Sequence, residues 1–326
     1  MKKISLIVPA YNEEDSVELF YREASRIADS LSARYEFEFL FINDGSTDHT
    51  IDILRRLRKS DKRVRYVDLS RNFGKETGML AGFDHALGDA VIIIDCDLQE
   101  PPEVIPQMIE KWEEGYQDVY GRRRVRHQKA TKRIPSKIYH KLLATLASEN
   151  LSEDAGDFRL LDRRCVDALR QMRETQRYTK GMYGWIGFDK APVEYDVMPR
   201  AAGTTKWTTR KLAHLAINGI TSHSVVPLRL ASYAGLSVSL VAFIYLIYVV
   251  VKAIAIGDPV AGYPSLMAVL LFLGGFILLA LGIIGEYLGR IFIESKQRPV
   301  YFVKSVDGES TDVRRCSVDC EQQSRN

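Results

Sequence analysis

The chain has 326 residues, a hydrophobic content of 46% and a formal net charge of +3. That length exceeds one average domain and suffices to bury a full core. So small a net charge gives no footing for nucleic-acid binding, which draws on a strong positive field, and no nucleic-acid partner is expected.

In chain order, residues 4–8 form an apolar, strand-like run followed by Pro9, Ala10, Tyr11 and Asn12. Residues 13–34 suit a helix with acidic residues in its first turn, where the macrodipole prefers them. Residues 37–42 read as a second strand ending in Asn43, Asp44, Gly45 and Ser46. Thr47 is placed to cap a helix that runs to about Lys59. A third strand is expected at 64–69, a helix at 74–87 and a fourth strand at 90–94. Residues 101–115 read as a helix with proline in its first turn, and 118–120 open a fifth strand. Strands alternating with helices predict an α/β domain with a mostly parallel, Rossmann-like sheet.

Open sheets of this kind bind ligands beyond the carboxyl ends of their strands. Tyr11, Glu13, Asp44, Asp95 and Asp97 are therefore expected to share one crevice. No Gly-x-Gly-x-x-Gly follows the first strand and no Walker A loop occurs, which argues against a dinucleotide or P-loop enzyme. Asp95 and Asp97 close a β-branched run, Ile92-Ile93-Ile94, of the sort buried on both faces. Two carboxylates with the amide oxygen of Gln99 make a hard site suited to Mg²⁺ or Mn²⁺ carrying a diphosphate. Alone, Asp-x-Asp is more often a solvated acidic turn at a strand end.

The run 122–133 holds Arg122, Arg123, Arg124, Arg126, Lys129, Lys132 and Arg133. It is expected to be a loop that helps capture a lipid phosphate, against the plainer reading of a solvated charge run. Residues 230–251 and 259–285 contain no charged side chain. Each is long enough to cross a hydrocarbon core of ~30 Å as a helix. Lys206, Arg210, Lys211 and Arg229 precede the first span, and Arg290, Lys296 and Arg298 follow the second. The positive-inside rule then puts both flanks, and both termini, in the cytoplasm. Before the first span, Leu212, Leu215, Ile217 and Ile220 interleave with Arg210, Lys211 and His214, as in an amphipathic helix at the membrane interface or a surface helix on the domain. Cys96 and Cys165 read as small buried residues, and Cys316 and Cys320 lack the second ligand pair of a zinc site. The tail from about Ser305 has few apolar residues and is expected to be disordered. The resulting organisation is a cytosolic catalytic domain at 1–204, a juxtamembrane segment at 205–227, a transmembrane hairpin at 228–289 and a cytosolic tail at 290–326. Gly274, Gly275 and Gly282 would let the spans pack closely on neighbours, and a homo-oligomer is expected.

Three motifs occur in order at strand ends: Val8-Pro9-Ala10-Tyr11-Asn12-Glu13-Glu14, Asn43-Asp44-Gly45-Ser46-Thr47-Asp48 and Asp95-Cys96-Asp97-Leu98-Gln99. The series resembles the inverting GT-A glycosyltransferases of family two. Arg71-Asn72-Phe73-Gly74-Lys75, Asp97 through Pro102, Asp157 through Asp162 and Gly203-Thr204-Thr205-Lys206-Trp207 narrow it. They are similar to the polyprenyl-phosphate glycosyltransferases, the group of dolichol-phosphate mannose synthase and the bacterial GtrB and ArnC types. Two C-terminal spans resemble the GtrB type.

The resemblance implies a role for each matching residue. Pro9, Tyr11, Glu13 and Asp44 would hold the base and ribose; Asp95, Asp97 and Gln99 the metal and diphosphate. Arg122 would reach a phosphate, with Lys180, Arg200 and Lys206 as further positive positions. Asp157 would be the catalytic carboxylate near the sugar, as a base or as a partner of a sugar hydroxyl. Glu100 stands where many relatives carry aspartate. The implied reaction moves one hexose, glucose from UDP-glucose, to undecaprenyl phosphate with inversion, giving a β-linked lipid product; 4-formamido-arabinose and mannose from GDP-mannose are the alternatives. A processive polysaccharide synthase would carry Gln-x-x-Arg-Trp and more spans, and Gln176-Arg177-Tyr178 does not fit. A non-catalytic scaffold would have lost the metal aspartates, and both are present.

Overall fold

A computed structural model describes residues 1–124, 155–175, 177–198 and 262–310, with isolated helical positions between 233 and 248. The chain divides into two compact units, Met1–Thr209 with Pro299–Asn326, and Arg210–Arg298.

The first unit begins with β1 (Lys2–Ala10), α1 (Val17–Ser30), β2 (Tyr35–Asn43), α2 (Thr50–Ser60), β3 (Val64–Leu69), α3 (Lys75–His85) and β4 (Ala90–Ile93). A 3₁₀ turn at Pro102–Val104 leads into α4 (Ile105–Glu113) and β5 (Asp118–Arg123). After residues outside the description come β6 (Ala155–Asp162), α5 (Arg163–Gln171), α6 (Thr179–Trp185) and β7 (Lys190–Tyr195). Strands β8 (Val303–Val306) and β9 (Glu309–Ser310) complete a sheet of order β7-β5-β6-β4-β1-β2-β3-β8-β9.

Strand residues alternate between the two faces. Ile4, Leu6 and Val8 of β1 join Phe37, Phe39 and Phe41 of β2 in a core under α1, α2 and α4. Ile7, Leu40 and Ile42 face the opposite core, under α3, α5 and α6. This is an α/β/α sandwich, and the continuous apolar strands are apolar because both faces are covered.

The expected elements through β5 are present, with helix ends trimmed by up to four residues. Thr47 does not cap α2; Asp48 Oδ1 instead accepts the Thr50 amide at 3.0 Å. The expectation of a mostly parallel sheet holds for the centre, where β4, β1, β2 and β3 are parallel. Strand β6 then pairs antiparallel with both β4 and β5, and β8 antiparallel with β3, so the whole sheet is mixed.

The expectation of disorder from Ser305 fails for Ser305–Ser310. Asp307 there accepts the Tyr66 amide at 2.9 Å and pairs with Arg65 Nε at 3.0 Å, while Val303 and Val306 pack on the second core. Backbone pairing and one buried-edge ion pair hold a segment that its composition alone would not.

In the second unit, α7 (Tyr263–Ser295) is a single helix of 33 residues. Its stretch Phe272–Ser295 is long and apolar enough to cross a membrane. The expected second span, 259–285, overlaps α7 from Tyr263 on, while 259–261 lie outside the described residues. The first span is helical at Tyr233, Gly235, Leu240, Val241 and the other described positions, and the rest of it lies outside the described residues. So do the amphipathic segment at 205–227, the basic residues from 125 onward, Gln176, Arg200, Lys206, Cys316 and Cys320.

Candidate active site

The carboxyl ends of β1 and β2 are stitched to each other. Asn12, in the left-handed region at φ 55°, donates its amide to Ser46 Oγ at 3.0 Å and accepts from Thr47 N at 2.8 Å. The Glu13 amide reaches Thr50 Oγ1 at 2.9 Å, and the Glu13 carboxylate accepts from Ser16 Oγ at 2.5 Å. Pro9 is half-buried on this edge, and the Tyr11 ring is 38% exposed beside it. Pro9, Tyr11 and Glu13 thus stand together at one strand end, as expected.

Asp44 is also there, but both its carboxylate oxygens are taken. They accept the amides of Phe73 at 2.7 Å and Gly74 at 2.8 Å. Burial raises the Asp44 pKa, and these two amide bonds offset it only in part. Next to it, a Cβ on Gly45 (φ +64°) would lie 2.4 Å from the Arg71 carbonyl carbon, so only glycine lets the two loops meet. Asp44 therefore fixes the 71–74 loop, and that loop sets where α3 begins.

The first residue of α3 is Lys75. Its Nζ lies 2.7 Å from Asp95 Oδ2 and 3.1 Å from Asp157 Oδ2. Asp157 comes from β6, whose antiparallel register sets Ile93 opposite Arg159. Continued two residues past the end of β4, that register would bring Asp95 beside Asp157, and Lys75 reaches both. Lys180 of α6 approaches Asp157 Oδ1 at 3.9 Å, too far to bond, and that buried oxygen accepts no hydrogen bond. Burial works against the Asp157 carboxylate, yet Lys75 and Lys180 outweigh it and hold the pKa below the usual range. Burial likewise works against the Lys75 ammonium, and Asp95 and Asp157 together raise its pKa regardless.

Past Asp95 the chain bends through Leu98 at φ 57°. Asp97 Oδ1 accepts the Gln99 amide at 3.1 Å, and the Gln99 carbonyl accepts from Met198 N at 3.1 Å. Glu100 turns back into the protein, 5% exposed, and its carboxylate accepts the Asp95 amide at 3.4 Å. Burial and the Asp95 charge push its pKa up to about 7. Arg123 Nη2 stands 3.5 Å from Glu100. Arg122 points the other way, to Glu194 of β7. Arg123 faces Glu100 and Arg122 faces Glu194, as alternation along a strand places neighbours.

Beneath Asp157 lies a buried wall. Arg159 pairs with Asp118 at 2.8 Å and stacks over the Tyr183 ring at 3.5 Å. Glu76 accepts the Thr179 amide at 2.9 Å and its hydroxyl, tying α3 to α6.

The structure thus gathers Asp95, Asp97, Gln99, Asp157 and Lys180 at one sheet edge, with Pro9, Tyr11 and Glu13 alongside. It turns Arg122 to a surface pair. Lys75 and Arg123 join the site without an assigned role in the sequence reading. The signal for Lys75 was its place in the Arg71–Lys75 motif; for Arg123 it was strand parity, once the register was known.

Residues 5–170 match the family Glycosyl transferase family 2, and residues 226–291 match the GtrB C-terminal hairpin. The chain is 43% identical over 304 residues to the bactoprenol glucosyl transferase of Shigella phage SfV, covering 93% of this chain and 98% of the relative. It is 44% identical to the prophage bactoprenol glucosyl transferase homolog of Escherichia coli K12, covering 93% and 99%. Among solved structures, glucosyl-3-phosphoglycerate synthase from Mycobacterium tuberculosis, in complex with Mn²⁺, UDP and glucosyl-3-phosphoglycerate, aligns with a TM-score of 0.47 at 19% identity, over 68% of this chain and 80% of that one.

Proposed function

The chain belongs to glycosyl transferase family 2 with a GtrB C-terminal hairpin, and from that membership we propose that it moves one glucose from UDP-glucose to polyprenyl (undecaprenyl) phosphate at the cytoplasmic face of a membrane. The observation that carries this reading is the meeting of Asp95 and Asp157 at the Lys75 ammonium on one sheet edge, in a chain 43% identical to a named bactoprenol glucosyl transferase. The hairpin would keep the enzyme at the membrane that holds its acceptor.

The residues fit a divalent cation. An ammonium already sits between Asp95 and Asp157, so a positive charge has its place between these two carboxylates. Among the described residues no group of three His, Cys, Asp or Glu side chains could hold a metal unaided. Asp95 and Asp97, with Gln99, would hold Mg²⁺ or Mn²⁺, and oxygens of the donor diphosphate would complete the shell. When bound, such an ion acts as a Lewis acid toward the departing diphosphate.

The acceptor phosphate oxygen is anionic at neutral pH and needs little deprotonation. It attacks the anomeric carbon as the bond from that carbon to the diphosphate oxygen breaks, and the centre inverts. Catalysis then consists of placement and charge stabilisation. A carboxylate held ionised by two ammonium groups is a poor base, so Asp157 serves by accepting a hydrogen bond from a sugar hydroxyl. Lys180 and Arg123 supply positive charge for the phosphates on either side. Pro9, Tyr11 and Glu13 hold the nucleoside on the stitched β1–β2 edge.

Membranes containing the protein, given labelled UDP-glucose and undecaprenyl phosphate, are expected to form a glycolipid, and EDTA to stop it. Asp97→Asn should abolish product while leaving membrane insertion intact. No glycolipid from any UDP- or GDP-sugar would overturn the reading.

A further inference from the structure

Lys75 holds two carboxylates that the reaction needs for different purposes. Its Nζ is 2.7 Å from Asp95 Oδ2, on the diphosphate side, and 3.1 Å from Asp157 Oδ2, on the sugar side. The base of this side chain is fixed, because Asp44 anchors the amides of Phe73 and Gly74 immediately before it. The side chain is not enclosed: 40% of it remains exposed, as does 34% of Asp95. A bridge meant to be permanent favours the planar fork of arginine, whereas a lysine is a compact charge on a flexible stem. Asp95 Oδ2 cannot give its full strength to an ammonium and a divalent ion at once.

We propose that Lys75 is a positioning residue that occupies the cation place between Asp95 and Asp157 before the donor binds, and yields Asp95 to the donor-borne divalent ion while staying with Asp157. The inference rests on the metal reading above. It makes metal and donor arrive together: the ion alone must displace Lys75, while the ion with a diphosphate brings new anionic partners for the released ammonium. Lys180 stands 3.9 Å from Asp157 and makes no ion pair with Asp95 among the described residues, so it cannot play this part.

The test is Mn²⁺ binding to the purified full chain in detergent, followed by electron paramagnetic resonance with and without UDP. Wild type is expected to bind Mn²⁺ weakly alone and much more tightly with UDP. Lys75→Met should bind Mn²⁺ alone roughly fivefold more tightly, the scale of a part-exposed ion pair, and gain less from UDP. Lys75→Arg should restore weak binding. Lys180→Met removes the same charge without touching Asp95 and should shift Mn²⁺ affinity less than about twofold. Unchanged or weaker binding by Lys75→Met overturns the inference, and so does equal tightening in Lys180→Met, which would reduce the effect to net charge. If neither wild type nor Lys75→Met binds Mn²⁺ even with UDP, the metal reading itself fails.

Discussion

Along the β1–β2 half of the crevice, polar side chains end on the backbone or on small hydroxyls: Asn12 on Thr47, Glu13 on Ser16, Asp44 on Phe73 and Gly74. Along the β4–β6 half they end on other charges, with Lys75 shared by Asp95 and Asp157, Lys180 near Asp157, and Arg123 near Glu100. Bonds of the first kind persist whatever enters the crevice. Ion pairs of the second kind are exchanged when new charges arrive, because a part-exposed pair is held weakly. The same sheet edge therefore carries a rigid shelf suited to a nucleoside and a loosely held set of charges suited to a moving diphosphate. The contrast predicts that mutations on the two sides fail in different ways.

The largest effect belongs to the charged side. Asp157→Asn keeps the shape and removes the charge between the two lysines. Turnover is expected to fall by about 10²–10⁴, the range for a group acting in the transition state. Some melting temperature should be lost as well, because the 3.1 Å pair between Asp157 Oδ2 and Lys75 goes, although Oδ1 accepts no hydrogen bond to lose. Turnover within tenfold of wild type would remove Asp157 from the reacting centre.

On the stitched side the pattern should reverse. Asp44→Ala strips the acceptors from two loop amides, and an unsatisfied buried donor costs about 1–3 kcal/mol. Thermal unfolding in detergent should register that loss, with a raised KM for the donor because the freed loop carries Lys75. A variant that melts like wild type but loses turnover would break the contrast.

How much of this could be read beforehand follows the same division. The β1, β2 and β4 ends were legible because each polar motif directly follows a contiguous apolar strand, and parallel order brings them to one edge. Asp157 was reachable only through family resemblance: it lies on an antiparallel strand some thirty residues after β5, and no local pattern gives its register against β4. The choice of Arg123 over Arg122 needs that sheet geometry too. Strands β8 and β9 were hidden because backbone pairing and Asp307, more than apolar residues, hold them. The role of Lys75 depends on where α3 starts to within one residue, which Asp44 decides from a different loop.

The smallest effect lies at the seam between the halves, where Glu76 of α3 bonds Thr179 of α6. Burial raises the Glu76 pKa above its ordinary value of 4.5; the Thr179 bonds lower it in part, and the nearby Asp157 charge raises it again. The folded protein thus binds this proton more tightly than the unfolded chain. Stability from that proton is complete below the ordinary glutamate pKa and is lost as pH rises through the raised one. Glu76→Gln keeps an acceptor for Thr179 and removes the titration. The melting temperature of wild type relative to Glu76→Gln should therefore decline as pH is raised from about 4.5, with other groups cancelling between the two proteins. Parallel curves would mean that Glu76 titrates alike in both states. The seam would then belong with the loosely held charges rather than with the rigid shelf.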